Sequence, residues 1–280
     1  MSSILLQDFI VKEHIKNALK EDIGFGDITT DFLINEDVRI KAELNTREDG
    51  ILCGIDIFET VFKILSNEIN VRKFYKDGDK IKKGETIAII EGSARAILTG
   101  ERTALNYIQR LSGIATETYK YQEAIGNNKA RITDTRKTTP NFRLFEKYAV
   151  AIGGARLHRF NLSDCVMIKD NHIQFSGSIT NAVNTIRKNL SHTHKIEVEC
   201  DTIEQVKEAL SVNAEIIMLD NMDCNLMKEC VKLIGNQALI EASGNVNMNN
   251  ISEIAQTGVD VISSSAIVAK AKTLDLAIDM

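Results

Sequence analysis

Between about residue 130 and residue 265, short apolar runs recur at intervals of roughly 20 to 35 residues, and nearly every run ends in a reactive polar side chain. The runs are Arg131–Asp134, Val166–Lys169, Ile196–Glu199, Ile216–Asp220, Leu239–Glu241 and Val259–Ile262. Their shortness predicts buried strands. Between them, Ile179–Leu190, Ile203–Leu210, Leu226–Ile234 and Ile251–Ala255 carry apolar residues at helical spacing. Strand and helix in alternation predict a parallel sheet, because a parallel strand needs a crossover of about a dozen residues or more. The number of units favours closure into a β/α barrel over an open doubly wound sheet. In barrel enzymes the C-terminal strand ends carry the active site, which would bring Lys137, Lys169, Glu199, Asp220 and Ser243 to one mouth.

The N-terminal third has another rhythm. Leu5 to Lys20 reads as an amphipathic helix with Leu5, Phe9, Ile15 and Leu19 near one face. Glu21–Asp31 reads as a tight polar loop leading into a strand, since its acids do not have the spacing of a calcium loop. Alternation over Val38–Leu44, and further runs at Val71–Tyr75 and Thr86–Ile90 separated by glycine turns, predict an antiparallel sheet. This portion is expected to be a small α/β sandwich, joined to the barrel by a long helix from Arg102 to about Glu123. Leu274–Met280 is expected to return to the first domain. The expected boundaries are 1–108 for the sandwich, 109–268 for the barrel and 269–280 for the returning segment.

Composition narrows the class. At 280 residues and 44% hydrophobic content the chain can bury a core large enough for two domains. It has neither a long apolar run nor a charged-then-apolar leader, so a cytoplasmic enzyme is expected, without a membrane or secretory role. Cys53, Cys165, Cys200, Cys224 and Cys230 make an odd count with no C-x-x-C pair, which argues against a disulfide framework or a zinc site. A net charge of −5 disfavours nucleic acid, so an anionic substrate has to be attracted locally.

Three motifs offer that attraction. Asp134-Thr135-Arg136-Lys137-Thr138-Thr139-Pro140 places two cations after a strand, among hydroxyls and backbone N–H groups. Gly153-Gly154-Ala155-Arg156-Leu157-His158-Arg159, followed by Ile168-Lys169-Asp170-Asn171-His172, reads as a carboxylate pocket. Arg grips a carboxylate through two parallel bonds, and two Arg with a Lys neutralise a dicarboxylate. Glu199 and Asp220 are placed to hold Mg²⁺, to accept from ribose hydroxyls or to stabilise a developing cation. Later, Ser243-Gly244 and Ser263-Ser264-Ser265 end two strands in the manner of a phosphate loop. His192-Thr193-His194 precedes a strand, on the opposite side of the barrel from the mouth, and is read as a loop.

Taken together the chain resembles the quinolinate phosphoribosyltransferases. The resemblance runs through Gly26–Thr30, Gly100–Asn106, Leu111–Thr116, Asp134–Pro140, His158-Arg159, Ile168–His172 and Leu219–Asn221. It implies an N-terminal α/β sandwich, an incomplete, open β/α barrel, and a homodimer whose sites are shared between subunits. It implies quinolinate and phosphoribosyl pyrophosphate as substrates, Mg²⁺ as cofactor, and nicotinate mononucleotide, pyrophosphate and CO₂ as products of a step in NAD biosynthesis. By resemblance, Arg102 of one subunit joins Arg136, His158, Arg159 and Lys169 around the quinolinate carboxylates. Lys137 serves the pyrophosphate side, Glu199 and Asp220 serve the ribose and the metal, and Ser243, Gly244, Ser264 and Ser265 hold the 5′-phosphate. The chain departs from the family pattern at Asn141, Ala155, Asn161 and Ser265, where glycine is usual, and at Leu157, where asparagine is usual.

Three rival readings stand beside this one. The molybdate-transport-associated paralogues share the Thr-Arg-Lys-Thr motif but act on another acceptor. A lyase would form a Schiff base on Lys169. A sensor would bind a pyridine dicarboxylate without turnover.

Overall fold

The computed structural model describes residues 6–280. Its elements, in chain order, begin with α1 (Asp8–Ile23), α2 (Ile28–Leu33), β1 (Arg39–Thr46), β2 (Gly50–Ile51), α3 (Ile55–Leu65), β3 (Asn70–Lys73), β4 (Lys80–Ile81), β5 (Thr86–Ser93) and α4 (Ala94–Ile125). They continue with β6 (Arg131–Thr133), α5 (Arg143–Ile152), β7 (Val166–Ile168), α6 (Asp170–Ser176), α7 (Ile179–Arg187), β8 (Ile196–Cys200) and α8 (Ile203–Ser211). The last are β9 (Ile216–Asp220), α9 (Cys224–Ile234), β10 (Leu239–Ser243), α10 (Ile251–Ala255), β11 (Val261–Ser263), α11 (Ala266–Ala269) and β12 (Leu276–Asp279). The described residues form two compact units: residues 6–119, 140–154 and 271–280, and residues 120–139 and 155–270.

The first unit is an antiparallel sheet in the order β12-β1-β5-β3, a small β2-β4 ribbon and helices. Along β1 the buried positions are Ala42, Leu44 and Thr46, the period-two pattern of a sheet with one buried face. Buried Val11, Ile15 and Leu19 make the apolar stripe of α1; the expected contribution of Leu5 lies outside the described residues. β12 pairs with β1 from Glu43↔Asp279 to Thr46↔Leu276, so the C-terminal segment is part of this sheet.

Motif Leu111–Thr116 turns out to stitch this unit together. Ser112 Oγ accepts from Cys53 N–H at 3.0 Å and Thr116 Oγ1 accepts from Ile51 N–H at 2.8 Å, satisfying backbone groups beside β2. A Cβ at Gly113 would sit 1.9 Å from Lys272 O, so only glycine lets the returning chain pass α4.

Two features depart from the expectations. Within Glu21–Asp31 the chain enters α2 rather than a strand: Asp27 Oδ1 accepts from Thr30 N–H at 3.0 Å, an N-cap that starts the helix. The first unit also reaches to residue 119 of α4 and includes α5, beyond the expected boundary at 108. The reason is packing: Phe145 of α5 stacks on Phe142 and meets His14 at a tilt, and buried Glu146 accepts from Arg110 at 2.8 Å.

The second unit is built on six parallel strands in the order β6-β11-β10-β9-β8-β7. Its edges are β6 and β7, which pair with each other nowhere, so the barrel is open there. Segment 156–159 runs along the β6 edge, where Arg156 N–H donates to Ile132 O at 3.0 Å and Thr133 and Arg156 form an isolated parallel bridge. Helices α7, α8 and α9 each bury one face, with Ile179, Val206 and Met227 among the buried residues. Ser178, Thr202 and Asp223 accept backbone N–H bonds as their N-caps.

Candidate active site

Every strand of the barrel delivers a polar group at its C-terminal end. β6 leads into Thr135-Arg136-Lys137, β7 into Lys169, β8 carries Glu199, β9 Asp220, β10 Ser243 and β11 Ser263. These side chains, with His158, Arg159, Met167 and Met218, line one cavity of about 440 Å³. Four permanent cations, Arg136, Lys137, Arg159 and Lys169, face two carboxylates, which gives the mouth a positive balance within an acidic chain.

Lys169 Nζ lies 3.0 Å from Glu199 Oε2. Just after Lys169 the backbone turns into α6, with Lys169 N–H donating to His172 Nδ1 at 3.0 Å. His172 is therefore a helix-capping side chain, exposed and outside the cavity, although the sequence counted it among the donors. Asp220 Oδ2 accepts from Asn221 Nδ2 at 2.6 Å, and Asn221 N–H donates to Ser243 O at 3.1 Å.

A second cavity of about 450 Å³ shares Thr135, Lys137, Asp220, Ser243 and Ser263 with the first. It adds Gly244, Asn245, Ser264, Ser265 and Lys270, a lining of small and hydroxyl-bearing groups. Gly244 has φ +92°, and a Cβ there would lie 2.3 Å from Asn221 Oδ1 and 2.6 Å from Asn221 N. Glycine lets the β10 loop close against the β9 loop. The Ser264 hydroxyl is already engaged, donating to Val246 O and accepting from Ala266 N–H, both at 3.2 Å.

His158 lines the mouth, and both of its ring nitrogens face groups of the protein itself. Its backbone N–H donates to the buried Asp134 Oδ1 at 2.8 Å, and Nδ1 accepts from Arg159 N–H at 2.7 Å. Nε2 points between two buried acids, 3.5 Å from Glu197 Oε2 and 3.4 Å from Glu241 Oε1. Burial works against a charged ring, and the two carboxylates pull the other way by favouring a proton on the nitrogen that faces them. The Arg159 amide aimed at Nδ1 excludes a second proton on that nitrogen, and this geometry selects the ring form protonated at Nε2. Burial raises the Glu197 carboxyl above its usual range, opposed by its bond to His158. The Arg159 guanidinium donates to Cys165 O at 2.8 Å and contacts Met167 Sδ at 3.7 Å, reaching the edge of β7.

Of the residues singled out from sequence, Arg136, Lys137, His158, Arg159, Lys169, Glu199, Asp220 and Ser243 line the mouth, and Gly244, Ser264 and Ser265 its extension. Arg102 is exposed on α4 in the first unit and lines neither cavity. Glu197 and Glu241 were not singled out. The available signal was the period of two, which puts Glu197 on the face of Glu199 and Glu241 on that of Ser243. His192-Thr193-His194 lies before β8, away from the mouth; His194 Nε2 is 3.1 Å from Ser163 O.

A parallel barrel with a cationic mouth, two carboxylates at adjacent strand ends and a hydroxyl-rich extension defines an enzyme for phosphorylated sugars and other polyanions. The chain belongs to the quinolinate phosphoribosyl transferase family: residues 27–112 match the model of its N-terminal domain and residues 114–279 that of its C-terminal domain. It is 44% identical over 274 residues to the probable nicotinate-nucleotide pyrophosphorylase (carboxylating) of Synechocystis sp., covering 97% of this chain and 92% of that one. It is 40% identical over 270 residues to the corresponding Bacillus subtilis protein, covering 96% and 93%. The crystal structure of NadC from Streptococcus pyogenes superposes with a TM-score of 0.96 at 40% identity, over 99% of this chain and 98% of that one.

Proposed function

We propose that the mouth transfers the phosphoribosyl group of phosphoribosyl pyrophosphate to the ring nitrogen of quinolinate, with loss of CO₂, giving nicotinate mononucleotide and pyrophosphate for NAD biosynthesis. The observation that carries this reading is the gathering of four cations and two carboxylates around one mouth, in a chain of this family. Quinolinate brings two carboxylates and phosphoribosyl pyrophosphate several more negative charges. Taking such charges out of water costs several kcal/mol each, in rough terms, unless cations meet them.

In this reading Arg136, Arg159 and Lys169 receive the pyridine carboxylates, with His158 beside them, and Lys137 faces the pyrophosphate. Ser243, Gly244 and the Ser264-Ser265 loop receive the 5′-phosphate. The ring nitrogen attacks the anomeric carbon as pyrophosphate departs, and positive charge develops on the ribose. Glu199 and Asp220, fixed at neighbouring strand ends, stabilise that charge without having to reorganise. When the adjacent carboxylate departs as CO₂, the electron pair of the broken bond stays on the ring carbon, where the positive ring nitrogen stabilises it until a proton from water forms the new C–H bond, while the cations hold the carboxylate that stays.

Mg²⁺ fits the same pair. Glu199 and Asp220 offer only oxygen donors, and two carboxylates are what a cation that keeps water and substrate phosphate ligands requires. When bound it would neutralise pyrophosphate charge.

A homodimer with shared sites is part of the proposal. Phe25, Ile28, Phe32 and Leu33, around α2, are all strongly exposed, and an apolar surface of this kind favours a protein partner. Exposed Arg102 would reach the neighbouring subunit's mouth. Cytoplasmic residence is proposed from the five unpaired cysteines; among the described residues no helix is long and apolar enough to cross a membrane.

The lyase reading is disfavoured by the pairing of Lys169 with Glu199, which engages the amine a Schiff base requires. Acceptor competition tests the proposal: quinolinate should turn over in preference to nicotinate, and turnover of nicotinate with none of quinolinate would contradict it.

A further inference from the structure

Below the mouth the barrel interior holds an arrangement that the transfer reaction does not by itself account for. Glu197 and Glu241 are nearly inaccessible, on β8 and β10, and both point at one nitrogen of His158. Two acids buried this deeply cost stability, so an arrangement that keeps them calls for a task. His158 sits in segment 156–159, which bridges the open edge between β6 and β7. That segment is tied to β6 through Arg156 N–H and to buried Asp134 through His158 N–H. It is tied to β7 through the Arg159 guanidinium. The imidazole ring is its link to the opposite wall.

We propose that Glu197 and Glu241 are positioning residues for acceptor binding. Their carboxylates, 3.5 and 3.4 Å from His158 Nε2, favour the proton on that nitrogen, which leaves Nδ1 as the acceptor for the Arg159 amide and holds the His158–Arg159 segment in place across the barrel opening. The acids line neither the mouth nor its extension; they act through His158 and Arg159, which line the mouth.

The same three side chains invite a competing reading, because their ligand atoms lie within 4.8 Å of one another, close enough for a metal ion. The Arg159 amide argues against it. An imidazole that ligates through Nε2 carries its proton on Nδ1 and donates it outward, whereas here Nδ1 accepts.

The inference rests on quinolinate being the acceptor, and the two stand or fall separately: an enzyme inactive with quinolinate defeats that reading before any variant is made. With active enzyme, Glu241→Gln keeps an acceptor for Nε2–H and should hold KM for quinolinate within about threefold. The double variant Glu197→Leu/Glu241→Leu removes both acceptors and should raise that KM about tenfold or more, the scale on which supporting contacts act, while KM for phosphoribosyl pyrophosphate stays put. A double variant that keeps the wild-type quinolinate KM, or that raises both KM values equally, would overturn the proposal. A measurement on the unaltered protein covers the case in which the double variant fails to fold. Two-bond ¹H–¹⁵N correlations of His158 should show Nε2 protonated and Nδ1 bare. A proton on Nδ1, or one equivalent of a transition metal in the purified protein, would overturn it.

Discussion

Lys169 Nζ lies 3.0 Å from Glu199 Oε2, joining the group proposed to meet an acceptor carboxylate to the one proposed to face the ribose. The lysine side chain is 44% exposed and the glutamate 16%, so the pair adds little to stability and its significance is chemical. Lys169→Met should lower kcat/KM for quinolinate by about a hundredfold or more, while the melting temperature changes by no more than a few degrees or so. Steady-state kinetics with a thermal melt checks this. A variant with near-normal turnover would remove Lys169 from the site.

Gly244 supplies a second expectation. An alanine there would carry its Cβ into Asn221 and would have to hold a left-handed backbone, which together cost about 1–3 kcal/mol. Because the loop lines the cavity assigned to the 5′-phosphate, Gly244→Ala should raise KM for phosphoribosyl pyrophosphate more than KM for quinolinate. Varying each substrate in turn distinguishes the two.

Buried Glu146 accepts from Arg110, which also donates to Ala271 O at 3.0 Å. Glu146→Ala leaves the guanidinium without that carboxylate and should destabilise the protein by about 3–5 kcal/mol. Chemical denaturation should show the loss as a lower midpoint.

The shared-site proposal predicts complementation. Arg102→Ala and Lys169→Ala protomers, each inactive alone, should regain activity when subunits exchange, up to about a quarter of wild type if mixing is random, because one composite site per mixed dimer is intact. Activity of mixed samples against each parent measures it, and no recovery after demonstrated exchange would count against the shared site.

The barrel strands were legible because each is an apolar run with a polar end, and the register of the sheet turns those ends to one mouth. Lys169, Glu199, Asp220 and Ser243 could be named from that alone. Helix α5 was not legible: Glu146 and Lys147 are both fully buried within it, so its apolar periodicity is broken where it packs. β2 and β4, at two residues each, carry no pattern to read. The protein partners of His158 were not legible, because patterns reveal composition and not direction, and only the fold shows that Nε2 faces Glu197 and Glu241. Asn141 shows how local physics absorbs a departure from family pattern. It adopts φ +62°, a left-handed conformation that asparagine tolerates better than most residues, where glycine is usual.

The central claim is that this mouth couples phosphoribosyl transfer to decarboxylation. Its most direct test supplies the purified protein with carboxyl-labelled quinolinate, phosphoribosyl pyrophosphate and Mg²⁺, and counts labelled CO₂ against nicotinate mononucleotide. The account predicts one CO₂ for each nucleotide and none without phosphoribosyl pyrophosphate. Folded protein that forms neither product, or that forms nucleotide without CO₂, would contradict it.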